Sequence, residues 1–118
     1  MTNAAPSLSG FQEQAAQAAG LLRALSNESR LLTLCYLAEA GELSVGQLVA
    51  RVGLSQSALS QHLAKLREEG LVSTRKEAQT VYYRVCDPRA GQLLSLLHDL
   101  FCPELGREDD PPQDRSLS

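Results

Sequence analysis

No apolar run in this 118-residue chain approaches the roughly 20 residues needed to cross a membrane. The N-terminus, MTNAAPS, lacks a basic region followed by an apolar run, so no secretory signal is expected and a cytoplasmic location is. Cysteine is scarce: Cys35, Cys86 and Cys102 are odd in number and widely spaced, which excludes a secreted disulfide framework. In a reducing compartment such residues serve as buried hydrophobes, metal ligands or redox groups. There is no Cys-x-x-Cys, no phosphate-binding loop and no sequence set of nucleophile, base and orienter. An enzyme is therefore the least favoured class, and no cofactor is expected.

What is present suffices for one domain with a modest core, since 43% of residues are hydrophobic and 21% charged. The net charge of −3 conceals an uneven distribution. Residues 51–84 carry six Lys/Arg (Arg51, Lys65, Arg67, Arg75, Lys76, Arg84) against three Glu, a local +3. Residues 103–118 carry five acids against two Arg, a local −3. Nucleic-acid contact depends on the local patch, so the acidic total does not exclude it. Residues 1–7 read as a loose N-terminus, 8–102 as the folded domain and 103–118 as an acidic, Pro-containing, disordered tail.

Apolar positions Phe11, Ala15, Ala18, Leu22 and Leu25 recur at helical spacing and predict a first helix over about 8–24. Ser26 or Asn27 can cap a second helix, which ends at Gly41. Ser44 with Gln47 makes a capping-box pattern for a short third helix ending at Gly53. Ser55 caps a fourth that Gly70 stops. Two helices around a tight Gly-containing turn are a helix-turn-helix signal, in which Leu48, Val49 and Val52 pack against Leu59, Leu63 and Leu66. The following stretch, LVSTRKEAQTVYYRV, is rich in β-branched and aromatic residues on either side of a polar centre, Lys76–Gln79. It predicts a hairpin, although its turn lacks Gly. Pro88 then opens a last helix with Leu93, Leu94, Leu97, Leu100 and Phe101 on a broad apolar face. The fold class is mainly α with a small β-hairpin, a winged helix-turn-helix of order α-α-α-α-β-β-α. The apolar faces of the first and last helices exceed what one small domain can cover, and predict a homodimer through them.

On the fourth helix, Leu59, Leu63 and Leu66 face the core, while Ser57, Ser60, Gln61 and Ala64 share the opposite side, flanked by Ser55 and Gln56. The N-terminal part of the second helix of a helix-turn-helix lies in the major groove. Small Ser side chains permit close approach and hydrogen-bond either way, and Gln can pair with adenine. Lys65 and Arg67 lie further on, where phosphates pass; His62, beside the Leu stripe, is a helix-surface or phosphate-contact residue rather than a metal ligand; and Arg75, Lys76 and Arg84 on the hairpin extend the contact. The plain alternative, an amphipathic helix with a solvated face, accounts for any one of these residues but poorly for the turn, polar front and basic hairpin together. The expected partner is a pseudo-palindromic double-stranded DNA operator. A winged-helix protein-interaction module without DNA contact is the alternative from another class.

The stretches ALSNESRLLTLCYL, GELSVGQLVARVGLSQSALSQHLAKLREEGLV and TRKEAQTVYYRV resemble the ArsR/SmtB family of bacterial transcriptional repressors, over about residues 20–101. The resemblance implies a homodimeric winged helix that blocks transcription until an inducer acts, with a recognition helix at 55–68 and a wing at 73–85. Members commonly have Gly where Ala78 stands. It also bears on metals. Where one family metal site has Cys-x-Cys, this chain has Ser44 and Gly46. Where another pairs Asp with His on the last helix, Asp87 is followed by Arg89, and His98 alone cannot complete a zinc site of about four ligands. No metal site is expected.

Cys35 and Cys102, 67 residues apart in "LC" and "FCP" settings, are similar to the pair of the BigR/SqrR-type subgroup, whose two cysteines are joined by a chain of sulfur atoms after reaction with persulfide or polysulfide. The resemblance implies redox sensing by Cys35 and Cys102, with persulfide or polysulfide as inducer. Cys35 in its run of Leu also fits a plain core position. His98, one turn before Cys102, is either a surface residue or a stabiliser of a thiolate there. Cys86, beside Asp87, reads as a bystander. Within the same family the alternative inducer is arsenite or another thiophilic ion held by Cys35, Cys102 and Cys86.

Overall fold

The computed structural model describes residues 8–101. Residues 1–7, expected to form a loose N-terminus, and the acidic tail, 103–118, lie outside them, as does Cys102. Five helices and three short strands follow in the order α1 (Leu8–Leu25), α2 (Glu28–Ala40), β1 (Leu43–Ser44), α3 (Val45–Val52), α4 (Gln56–Glu68), β2 (Val72–Glu77), β3 (Thr80–Val85) and α5 (Pro88–Phe101).

Local chemistry sets most boundaries. Asn27, not Ser26, caps α2: its side chain accepts from the Arg30 N–H at 3.0 Å, while the Ser26 hydroxyl donates back to the Arg23 carbonyl at 2.8 Å. Ser44 and Gln47 form the full capping box, with reciprocal bonds of 3.2 and 2.9 Å. The Ser55 hydroxyl accepts from the Ala58 N–H at 3.1 Å and starts α4. Gly53 takes the left-handed conformation (φ +85°) that makes the turn between α3 and α4.

Leu34, Leu37, Leu48, Leu59, Leu63 and Leu66 are fully buried, so one core joins α2, α3 and α4. Val49 and Val52 pack at its edge, as expected. α5 joins it through Ala90 and Leu94. The first turn of α5 is fixed by Asp87, whose Oδ1 accepts from the backbone N–H of Arg89 (2.8 Å) and of Ala90 (3.4 Å). Burial opposes ionisation of Asp87. The hydrogen bonds from the Arg89 backbone and side chain and the Ala90 backbone outweigh it and hold the carboxyl below its ordinary value.

The hairpin forms with β2 and β3 antiparallel, from Val72 opposite Val85 out to Glu77 opposite Thr80. Its two-residue turn, Ala78–Gln79, places Ala78 at φ +56°, where Gly would sit without strain. The structure adds one strand to the expected order: β1 pairs with β3, Leu43 opposite Tyr83 and Ser44 opposite Tyr82, giving a sheet β1-β3-β2. Two residues are too few for an alternation pattern. Ser44 also serves as the cap of α3, and the extended backbone of a cap (φ −77°, ψ 165°) is already that of a strand.

A candidate DNA-reading surface and a thiol-lined cavity

α4 presents two sides of opposite character. Leu59, Leu63 and Leu66 are buried, and Ser55, Gln56, Ser57, Ser60, Gln61 and Ala64 are exposed, so the polar front predicted from spacing is a continuous open surface. His62 is half-buried at its margin. Lys65 is exposed and pairs with Glu69 at 3.8 Å, a loose surface contact that does not prevent a phosphate from competing. Beyond Gln61 and Ala64, a groove opens toward the sheet, walled by Lys65, Arg67 and Tyr83.

The register of the hairpin divides the three wing cations between two faces. Residues directly opposite in an antiparallel pair share a face, and the face alternates along each strand. Arg75 lies opposite Tyr82 and Ser73 opposite Arg84, so Arg75 and Arg84 share one face. Lys76 lies opposite Val81, on the face of Tyr83, which borders the groove beside α4. Lys76 is therefore the wing cation on the recognition-helix side.

Arg75 is already engaged. Its guanidinium donates to both carboxylate oxygens of Glu42 at 2.9 and 2.8 Å and to Glu77 at 2.7 Å, and lies 4.5 Å from the centre of the Tyr82 ring. The bond to Glu42 clamps the wing to the corner between α2 and β1. The hydrogen bonds that Arg75 donates to Glu42 first, then to Glu77, hold its proton more tightly than usual; the bond to Glu42 also lowers the Glu42 carboxyl. Charge counting treated Arg75 as an open cation, and nothing local marks Glu42, 33 residues away, as its partner. Among the described residues, Lys76 and Arg84 make no salt bridge.

The second feature lies on the other side of the core. A cavity of about 490 Å³ opens between α2, the β3–α5 junction and α5, lined by Cys35, Glu39, Cys86, Asp87, Gly91 and His98 among others. Cys35 is half-buried and packs against the core. His98 joins it on the wall, and so does Cys86. The Cys86 thiol donates to the Gly70 carbonyl at 3.4 Å and its N–H to the Leu71 carbonyl at 2.9 Å. Sequence spacing carries no sign that Cys35 and Cys86 face one space; only the packing of β3 and α5 on α2 brings them there. Among the described residues no group of three or more His, Cys, Asp or Glu is arranged to hold a metal ion.

The model for bacterial regulatory proteins of the arsR family matches residues 27–74, from the cap of α2 into the wing. The transcriptional activator HlyU of Vibrio cholerae serotype O1 is 53% identical over 95 residues, which cover 80% of this chain and 87% of that protein. The chain belongs to the arsR family of bacterial regulatory proteins. Solved structures agree with the fold. Reduced HlyU from Vibrio cholerae N16961 superposes with a TM-score of 0.77 at 53% identity, covering 80% of this chain and 99% of that one. The transcriptional repressor BigR from Xylella fastidiosa gives 0.73 at 39% identity, covering 82% and 98%. Members of the arsR family are transcriptional regulators, not enzymes, and bind operator DNA. Among the described residues no helix is long and apolar enough to cross a membrane.

Proposed function

We propose that the protein is a homodimeric repressor of transcription, acting in the cytoplasm, whose operator affinity falls when persulfide or polysulfide joins Cys35 to Cys102 through a bridge of sulfur atoms. The operator is read by Ser57, Ser60 and Gln61, with Ser55 and Gln56 at the helix start, and its phosphates are met by His62, Lys65 and Lys76 on this side and by Arg84 from the opposite face of the wing. Arg75, also on that opposite face, acts as a strut: clamped to Glu42, it sets the angle at which the wing meets DNA.

The observation that carries the sensing half is the position of Cys35. It sits on α2, against the core that supports α3 and α4, and lines a cavity whose other wall is α5. Cys102 follows directly on Phe101, the last residue of that helix. A covalent bridge from Cys35 to Cys102 ties α2 to the end of α5. One thiolate takes a sulfur atom from each of two persulfide molecules in turn, each leaving as R–SH, to give Cys–S–S–SH; the second thiolate then attacks the inner added sulfur and expels HS⁻, closing a Cys–S–S–S–Cys bridge. A bridge of several sulfur atoms also spans a separation too long for a direct disulfide.

Dimerisation is supported by exposed apolar surface on α1 and α5. Phe11 is 55% exposed, Leu22 56%, Leu100 64% and Phe101 76%. Leu96 joins this set, whereas Leu93 packs against the core. Two recognition helices related by a twofold axis match a pseudo-palindrome, and a small change in their spacing weakens both contacts together. The test is intact-mass analysis of the reduced protein after persulfide treatment, with binding to selected operator DNA measured in parallel. A mass gain that bridges Cys35 and Cys102 together with DNA release supports the reading. Release with neither cysteine modified refutes it.

A further inference from the structure

Cys86 has two properties that the Cys35–Cys102 bridge does not use. It lines the 490 Å³ cavity together with Cys35 and His98. It is also bonded twice to the segment that ends the recognition helix: its thiol to the Gly70 carbonyl and its N–H to the Leu71 carbonyl. Gly70 itself closes α4, its N–H donating to the Arg67 carbonyl at 3.0 Å. A group attached at Cys86 would thus sit in the cavity at one end and bear on the last turn of α4 at the other.

The cavity holds far more than one water-sized molecule, which needs about 10–15 Å³ on the same measure. Volumes of this order hold small organic ligands. Its described walls carry the carboxylates of Glu39 and Asp87 and no Lys or Arg, so they favour a neutral or cationic occupant over an anionic one. We propose that this cavity is a site for a small neutral or cationic organic disulfide, captured covalently at Cys86, and that the resulting adduct lowers DNA affinity through the end of α4. This rests on the repressor reading above only for its second half.

The chemistry is thiol–disulfide exchange. The Cys86 sulfur attacks one sulfur of R–S–S–R, the R–S–S–R bond breaks, and a Cys86–S–S–R bond forms. The departing R–S⁻ takes up the proton given up by the Cys86 thiol and leaves as R–SH. No net oxidant is needed beyond the disulfide. The adduct has no S–H, so the donor to the Gly70 carbonyl disappears at the point where α4 ends.

The test uses the full chain carrying Cys35→Ser and Cys102→Ser, in which Cys86 is the one remaining thiol. Adduct formation is timed by intact mass with three probes of similar size: cystamine (cationic), bis-hydroxyethyl disulfide (neutral) and dithiodiglycolate (anionic). Each rate is divided by the rate in urea-unfolded protein, which removes intrinsic reactivity. The expected result is that cystamine and the neutral probe react at least about tenfold faster, so normalised, than dithiodiglycolate, a difference of about 1.4 kcal/mol. Gly91→Leu should remove this advantage. A side chain at Gly91 starts in open space on the cavity wall, so the helix tolerates it while the cavity fills. Ser95→Leu, one turn further along the same wall, is the second blocking variant should the first fail to fold. Equal normalised rates for all three probes, or no slowing in either folded blocking variant, overturns the site. Operator affinity of the adduct is compared with that of the same variant before treatment, and a loss of about tenfold is expected. A complete adduct with unchanged affinity overturns the coupling to α4. If the untreated protein binds no operator at all, the repressor reading has failed, and the labelling rates still decide the site.

Discussion

Gln61 stands where the exposed front of α4 meets the groove walled by Lys65 and Tyr83. Its amide can both donate and accept, which is what discrimination of one base pair requires. Gln61→Ala should relax sequence preference at one operator position by about 1–3 kcal/mol, while affinity for unrelated DNA stays constant. Selection from random DNA with parent and variant shows this as a lost base preference; an unchanged consensus would place the helix differently in the groove. Leu63, on the buried side two positions later, should behave in the opposite way. Leu63→Ala leaves a cavity in the core and should reduce stability by about 2–5 kcal/mol in urea unfolding. Asp87 gives a third residue-level expectation. Its carboxyl is held below the ordinary 3.8, so the stability it contributes is fully present above that value and is lost as pH falls through its lower folded-state value. Asp87→Ala should therefore lower the urea midpoint at neutral pH by the equivalent of about 1 kcal/mol, the usual worth of a helix cap. The gap to the parent should close on acidification. A gap that persists in acid would assign the effect to something other than the ionised cap.

Among the elements, the wing gives the sharpest contrast. Lys76 shares a face with Tyr83 and the groove beside α4, whereas Arg75 is clamped by Glu42 and Glu77 on the other face. Lys76→Ala should weaken binding to all sequences and flatten its salt dependence by about one counterion. Arg75→Ala and Glu42→Gln should instead produce matching defects, because each releases the same clamp. Fluorescence anisotropy across a salt series separates the two patterns; a normal Glu42→Gln protein alongside a defective Arg75→Ala would make Arg75 a direct phosphate contact. The contrast also shows where sequence reading stops. Caps were legible because Asn27, Ser44 and Ser55 each act on a backbone N–H three residues away. The helix-turn-helix was legible because Leu59, Leu63 and Leu66 keep a helical period. β1 was not, since two residues carry no period. Neither was the Arg75–Glu42 clamp, nor the meeting of Cys35 with Cys86 and His98, because those partners are brought together only by the packing of distant elements. For the same reason Cys86 reads as a bystander in sequence and as a wall of the cavity in the fold.

At the scale of the whole molecule, α1 and α5 leave Phe11, Leu22, Leu96, Leu100 and Phe101 exposed on a chain whose core lies mainly among α2, α3 and α4. Burying them against a second copy gives the twofold arrangement that a palindromic operator needs. Sedimentation equilibrium should find a dimer at micromolar concentration, and Phe101→Asp should weaken the dimer and the operator complex together. A stable parent monomer that still binds a palindromic site tightly would contradict this arrangement. The central proposal is that a sulfur bridge between Cys35 and Cys102, one thiol on the core helix and one at the end of α5, changes the spacing of the two reading heads. A loss of only about 1.4 kcal/mol lowers operator binding tenfold, so the movement required is small. The most direct measurement is an operator titration of the parent, Cys35→Ser, Cys102→Ser and Cys86→Ser proteins, each with and without an inorganic polysulfide. The dithiol mechanism requires that all four bind when reduced, that the parent and Cys86→Ser release the operator on treatment, and that Cys35→Ser and Cys102→Ser remain bound. Normal release by either Cys35→Ser or Cys102→Ser would contradict it.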